Sequence, residues 1–119
     1  MYVTRHIVTI TTAADGSGTG YTPVVNGRVL TISYVKATSG SFADSVDFSI
    51  ETENSKVTIW DEDNVTATKA IYPRAKTHTT GGAENDADVD CIPVANERIK
   101  ISVEGGGDSK TGTFYVMVG

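Results

Sequence analysis

Hydrophobic and polar residues alternate along most of this chain in short runs with a period of two. In "ERIKISVE" (97–104), Ile99, Ile101 and Val103 fall on one side and Arg98, Lys100, Ser102 and Glu104 on the other. That is the pattern of a strand with one dry face and one wet face. "RVLTISYVK" (28–36) sets Leu30, Ile32 and Tyr34 against Val29, Thr31, Ser33 and Val35, and "SVDFSIET" (45–52) puts Val46, Phe48 and Ile50 on one side. "RHIVTITT" (5–12), "KVTIW" (56–60), "ATKAIYP" (67–73) and "VDCIPVA" (89–95) read as further strands. Pro93 marks the last of these as an edge or a strand end, because proline cannot donate to a ladder. "TFYVMV" (113–118) differs: Phe114, Val116 and Val118 alternate with Tyr115 and Met117, so both faces are apolar. Such a strand is expected to be central or covered by a partner. No ten-residue stretch carries a helical stripe.

Turn chemistry separates these runs. Asn26-Gly27 is a tight-turn signal, "DGSGTG" (15–20) reads as a flexible loop and "THTTGGAENDAD" (77–88) as a long polar loop. "GGGDSKTG" (105–112) reads as a glycine-rich hairpin that makes the last two strands antiparallel neighbours. About eight short strands at these spacings predict an all-β fold, an antiparallel β-sandwich of jelly-roll type, with an OB-like or other small barrel as the alternative. The 119 residues show no repeat and no linker, so a single domain over 1–119 is expected.

Composition narrows the function. A net charge of -5, spread along the chain, argues against binding nucleic acid or anionic membranes, both of which ask for a dense basic face. Cys91 is the single cysteine, so no intrachain disulfide can form. "MYVTRHIVTI" has no basic leader followed by a long apolar stretch, and no run approaches 18 apolar residues. The expectation is a protein made and assembled in a cytoplasm.

Candidate chemistry fails its own tests. "GGGDSKTG" invites a phosphate loop, but Ser109 rather than glycine precedes Lys110, the first pattern glycine would fall on Glu104, and a strand follows where a helix is required. Asp86, Asp88, Asp90 and Glu97 match part of a calcium loop, but its turn glycine is replaced by Cys91. A calcium site outside that pattern, shared with "DEDN" (61–64), is the residual metal reading, and no metal ligand is assigned. Cys91 with His78 is the one nucleophile–base pair worth naming, and "VDCIPV" around the thiol predicts an inert buried cysteine. No catalytic residue and no cofactor are expected, so the chain reads as a non-enzyme. Trp60, beside "DEDN", is a candidate contact aromatic or a core residue. "YPRAKTH" (72–78) is the main basic patch. Tyr72, Pro73, Arg74 and Lys76 there are candidate interface residues on an exposed extended arm, with Lys110 at the glycine turn as another.

"GYTPVVNGRVLTISYVK", "FADSVDFSIETENSKVTIW", "IYPRAKTH" and "PVANERIKISVEGGGDSKTGTFYVMVG" together resemble small proteins encoded by tailed bacteriophages and prophages among head and tail morphogenesis genes. The resemblance covers nearly the whole chain and is most specific in the C-terminal block. Residues 81–90 lie outside it. It implies a virion structural role and carries over no enzymatic residue. The expectation is a capsid decoration, or cement, protein on the capsid exterior, a dimer or trimer that binds at junctions between major capsid protein subunits. A head–tail connector or tail component is the nearest variant. A carbohydrate- or host-surface-binding module using Trp60 and the "DEDN" loop is the reading from another class.

Overall fold

The computed structural model describes residues 2–119. It contains eleven strands: β1 (Thr4–Thr11), β2 (Gly18–Tyr21), β3 (Val25–Lys36), β4 (Asp47–Thr52), β5 (Thr58–Glu62), β6 (Lys69–Ile71), β7 (Ala75–His78), β8 (Glu84–Asp90), β9 (Ile92–Glu97), β10 (Ile99–Glu104) and β11 (Thr111–Val118). The described residues include no helix, so the all-β expectation holds. Sheet A runs β1-β11-β3-β6, with β9 also paired to β3; sheet B runs β2-β10-β4-β5.

Every strand near the N-terminus pairs antiparallel with its counterpart from the other end. β1 pairs with β11, β2 with β10, β3 with β9 and β6, and β4 with β5. The chain is therefore one long two-stranded ribbon, doubled back between β4 and β5 and rolled so that its segments alternate between two sheets. That is a jelly roll, with β6 and β9 sharing one edge.

The rolled ribbon buries one aromatic cluster. Phe48 of β4 meets Tyr34 of β3 edge-on at 4.7 Å and Phe114 of β11 at 4.9 Å, and thereby joins the two sheets. Trp60 of β5 and Phe42, from the segment before β4, complete the cluster. Ile32, Ile50, Ile99, Ile101 and Val116 fill the space around it with no exposure.

The glycine segment 105–112 forms no hairpin. β10 lies in sheet B and β11 in sheet A, so the segment crosses between sheets. Both strands face the same core from opposite sides, and each already has two partners. The crossing runs beside residues 12–17, the other rail of the ribbon at this corner. The Thr12 N–H donates to the Lys110 carbonyl at 2.8 Å, and the Gly106 N–H donates to the Gly16 carbonyl at 3.0 Å. Gly105 and Gly107 hold φ of 69° and 87°, which glycine adopts without strain.

Three local expectations also change. "DGSGTG" is not simply a flexible loop, because its second half is β2. A side chain at Gly18 would sit 2.6 Å from Ile10 Cγ2, and one at Gly20 would sit 2.6 Å from Val8 Cγ1. These glycines admit β1's side chains into the core. Asn26-Gly27 is not a turn but lies inside β3, where the Gly27 backbone passes close to Val118 and Gly119. A bulge shifts the β3–β11 register at Leu30, so Val29 rather than Leu30 faces the core, at 0% exposure.

Glu97 ends β9 and is buried. Its Oε1 accepts the Ser55 and Asn54 backbone N–H groups at 3.0 and 2.7 Å, and its Oε2 accepts the Ser55 hydroxyl at 2.8 Å. Hydrogen bonds from the Ser55 and Asn54 amides, then the Ser55 hydroxyl, hold the carboxyl below its ordinary value of 4.5. A depressed folded-state pKa stabilises above the unfolded-state value and is lost as pH falls through the folded one. The melting-temperature advantage of wild type over Glu97→Gln should therefore be present at neutral pH and shrink as pH falls below 4.5. Thermal melts of both proteins across that range check this. An advantage that stays constant into strong acid would show that the charge does not hold the 54–55 turn.

Candidate interaction surfaces

Sheet A has an interrupted edge. β6 ends with Ile71 opposite Ile32 of β3, and β9 begins with Ile92 opposite Val29. The two are successive halves of one edge. Residues 72–91 leave that edge and return to it within three positions of β3. In this excursion β7 and β8 pair only with each other. The tip closes by hydrogen bonds from the Thr79 N–H to the Ala83 carbonyl and from the Gly82 N–H to the Thr79 carbonyl, each 2.9 Å. Seven residues of extended β8 give an arm on the order of 20 Å long.

The arm replaces the long polar loop expected over 77–88. Its strands escape pattern reading for a physical reason. Alternation reports a buried face, and every residue of β8 is exposed. Polar contacts tie the arm together instead. Lys76 Nζ lies 2.7 Å from Asp86 and 3.6 Å from Glu84. The Thr77 hydroxyl donates to Asp88 Oδ2 at 3.0 Å. The hydrogen bond to Asp86 and the nearby Glu84 charge raise the Lys76 pKa. Solvent-exposed pairs of this kind contribute little, and an isolated two-stranded hairpin is marginal in water.

The expected contact residues do not gather in one place. Tyr72 stands at the arm's root, 68% exposed, Arg74 follows just before β7, and Lys76 lies on it. Pro73 is buried, which corrects its place among the contact residues: it anchors the root, and its carbonyl accepts the Arg74 guanidinium at 2.8 Å. Trp60 is corrected likewise. It is 6% exposed and packs edge-on against Phe48, and its indole N–H donates to Glu62. A ring so placed offers no surface for stacking on a sugar. Lys110 is half-buried at the ribbon corner, where its backbone N–H donates to the Thr12 hydroxyl at 2.8 Å.

The other candidate chemistry is likewise dispersed. Asp86, Asp88 and Asp90 are strung along β8, and among the described residues no group of three His, Cys, Asp or Glu side chains is arranged to hold a metal ion. Asp61 and Asp63 of the "DEDN" stretch instead line a shallow acidic cleft with Asp47 and Glu104. His78 pairs with Glu84 near the arm's tip, whereas Cys91 follows Asp90 at its root. The separation, about four residues or roughly 13 Å of strand, leaves them unpaired.

A second surface was less visible in the sequence. The outer side of sheet A presents cross-strand rows: Arg5, Met117 and Thr31; then Ile7, Tyr115, Ser33 and Ala70; then Thr9, Thr113 and Val35. Arg5 lies over the Tyr115 ring at 5.0 Å. The strand that reads as apolar on both faces is thus central in its sheet, with Tyr115 and Met117 half-buried on its outward side. Of the fifteen acidic residues, only Glu97 lies on a sheet A strand, and it is buried against the 54–55 turn. The outer face of sheet B carries Asp47, Glu51, Asp61 and Glu104.

No family model matches the chain, and no curated protein matches it. Among solved structures, the crystal structure of FLHE aligns with 99% of this chain and 98% of that one, at 12% identity and a TM-score of 0.43. A likeness of that degree carries no argument about this chain.

Proposed function

We propose that this chain is a non-enzymatic structural component of a tailed-phage virion, a capsid decoration protein that grips junctions between major capsid protein subunits with its projecting arm. The observation that carries the reading is the arm itself. Residues 72–91 interrupt an otherwise continuous edge strand and bury little besides Pro73. A segment that adds almost nothing to its own core finds its use in contact with something else. The resemblance of the flanking blocks to phage morphogenesis proteins supplies the setting. On a shell the same modest contact recurs at every symmetric junction, so each arm needs only moderate affinity.

Mass spectrometry of particles purified from a phage encoding this chain should find it in a fixed ratio to the major capsid protein. A variant with Arg74–Asp90 replaced by Gly-Ser should still melt cooperatively, because the jelly-roll core is untouched, yet be lost from the particles. The reading fails if the chain is absent from washed particles, or if the armless variant occupies them fully.

A further inference from the structure

We infer that the outer face of sheet A is a contact surface for a second copy of this chain, the two copies meeting back to back about a two-fold axis. The inference rests on sheet A and not on the arm, so it stands apart from the proposed virion role. The face carries cross-strand rows with apolar side chains at its middle. Ile7 is 56% exposed, and Tyr115, Met117 and Val35 are half-buried.

Charge selects the occupant. At a net charge of -5, two copies repel over most approaches. Meeting through sheet B would bring Asp47, Glu51, Asp61 and Glu104, with Lys100 as the one cation among these strands' outward residues, toward the same set on the other copy. The outer face of sheet A brings no carboxylate into the contact, and Arg5 is folded down onto Tyr115 rather than projecting from it. Two sheets can then stack as the halves of a sandwich do, at a small angle and about 10 Å apart.

Area sets the strength. Three strands of about eight residues and the short β6, about 4.8 Å apart, span roughly 450 Å² per copy. The pair buries about 900 Å², near the lower limit for a specific interface. The expected product is a reversible dimer, formed at micromolar concentration or above rather than obligate.

Sedimentation velocity on the isolated full chain, from about 1 to about 300 μM, should show a monomer–dimer equilibrium. Ile7→Glu, which sets carboxylates face to face, should weaken it at least about 30-fold, and Ile7→Leu should leave it within about threefold. The armless variant should dimerise like wild type. Because Ile7 is exposed, the melting temperature of Ile7→Glu should stay near wild type, separating loss of contact from loss of fold. Hydroxyl-radical footprinting adds an independent readout, with Met117 oxidation falling as concentration rises. A monomer at every concentration overturns the inference, as does a dimer indifferent to Ile7→Glu. Protection of Met117 only within particles overturns it too, and makes the occupant a virion subunit.

Discussion

Phe48→Ala should lower the unfolding free energy by about 4–5 kcal/mol, at the upper end for truncating a buried aromatic. The side chain is 1% exposed. Its ring meets Tyr34, Phe114, Trp60 and Phe42 at centroid distances of 4.7, 4.9, 5.3 and 6.4 Å. Three of these four rings, Tyr34, Phe114 and Trp60, cannot close the gap by small moves, because they are held by strands in two different sheets. The cavity therefore persists, and the edge-on ring contacts are lost with it. Domains of this size are stable by roughly 5–15 kcal/mol, so about a quarter or more of the total is at stake. Thermal melts should show a drop of about 15–20 °C, and Phe48→Leu should cost much less, about 1–1.5 kcal/mol. A drop under about 5 °C for alanine would mean that the two sheets do not meet through this ring.

Gly112→Ala should destabilise by about 2–3 kcal/mol, against the ordinary preference for alanine over glycine inside a strand. Gly112 is buried in β11, and a Cβ there would lie 2.4 Å from Phe42 Cε2 and 2.9 Å from two further ring carbons. The ring fills the place a side chain would take, stacked on Tyr34 at 5.9 Å and nearly parallel to it. Relief requires Phe42 to leave the core, and it is 2% exposed. The double variant Gly112→Ala with Phe42→Leu should then be less destabilised than the sum of the singles, because the smaller residue makes room. Urea unfolding of the four proteins measures this coupling, and strict additivity would place the strain somewhere other than this contact.

These two sites show how pattern reading succeeds and stops. The alternations of 45–52 and 97–104 announce β4 and β10 with the correct inward residues, because one face of each strand meets the core and the other meets water. The same signal misplaces Leu30 and Val29, since a bulge adds one residue and reverses the facing before it, while Ile32 and Tyr34 beyond it face the core as expected. It passes over β2, whose glycines carry no side chain to alternate, and over β7 and β8, which bury no face. Among the candidate contacts, Tyr72, Arg74 and Lys76 are legible as an exposed basic stretch next to a proline. Burial of Trp60 and Pro73 depends on what packs over them and has no local signature.

The run at 105–112 marks the boundary. Local chemistry suffices to exclude a phosphate loop there, because the tests concern neighbouring residues and the two-residue period beyond Lys110. Local chemistry likewise establishes an all-β chain, since period-two alternation and turn residues act within a few positions. Whether the two strands around the glycines pair with each other is a different matter. Both are apolar enough to serve either sheet, and the choice between a hairpin and a crossing rests on contacts about 100 residues apart, with Thr12 and Gly16. The projecting arm and the carboxylate-free face are of the same kind. The face is made by strands from distant parts of the chain, and the arm, itself a local hairpin, projects only because β6 and β9 both pair with β3.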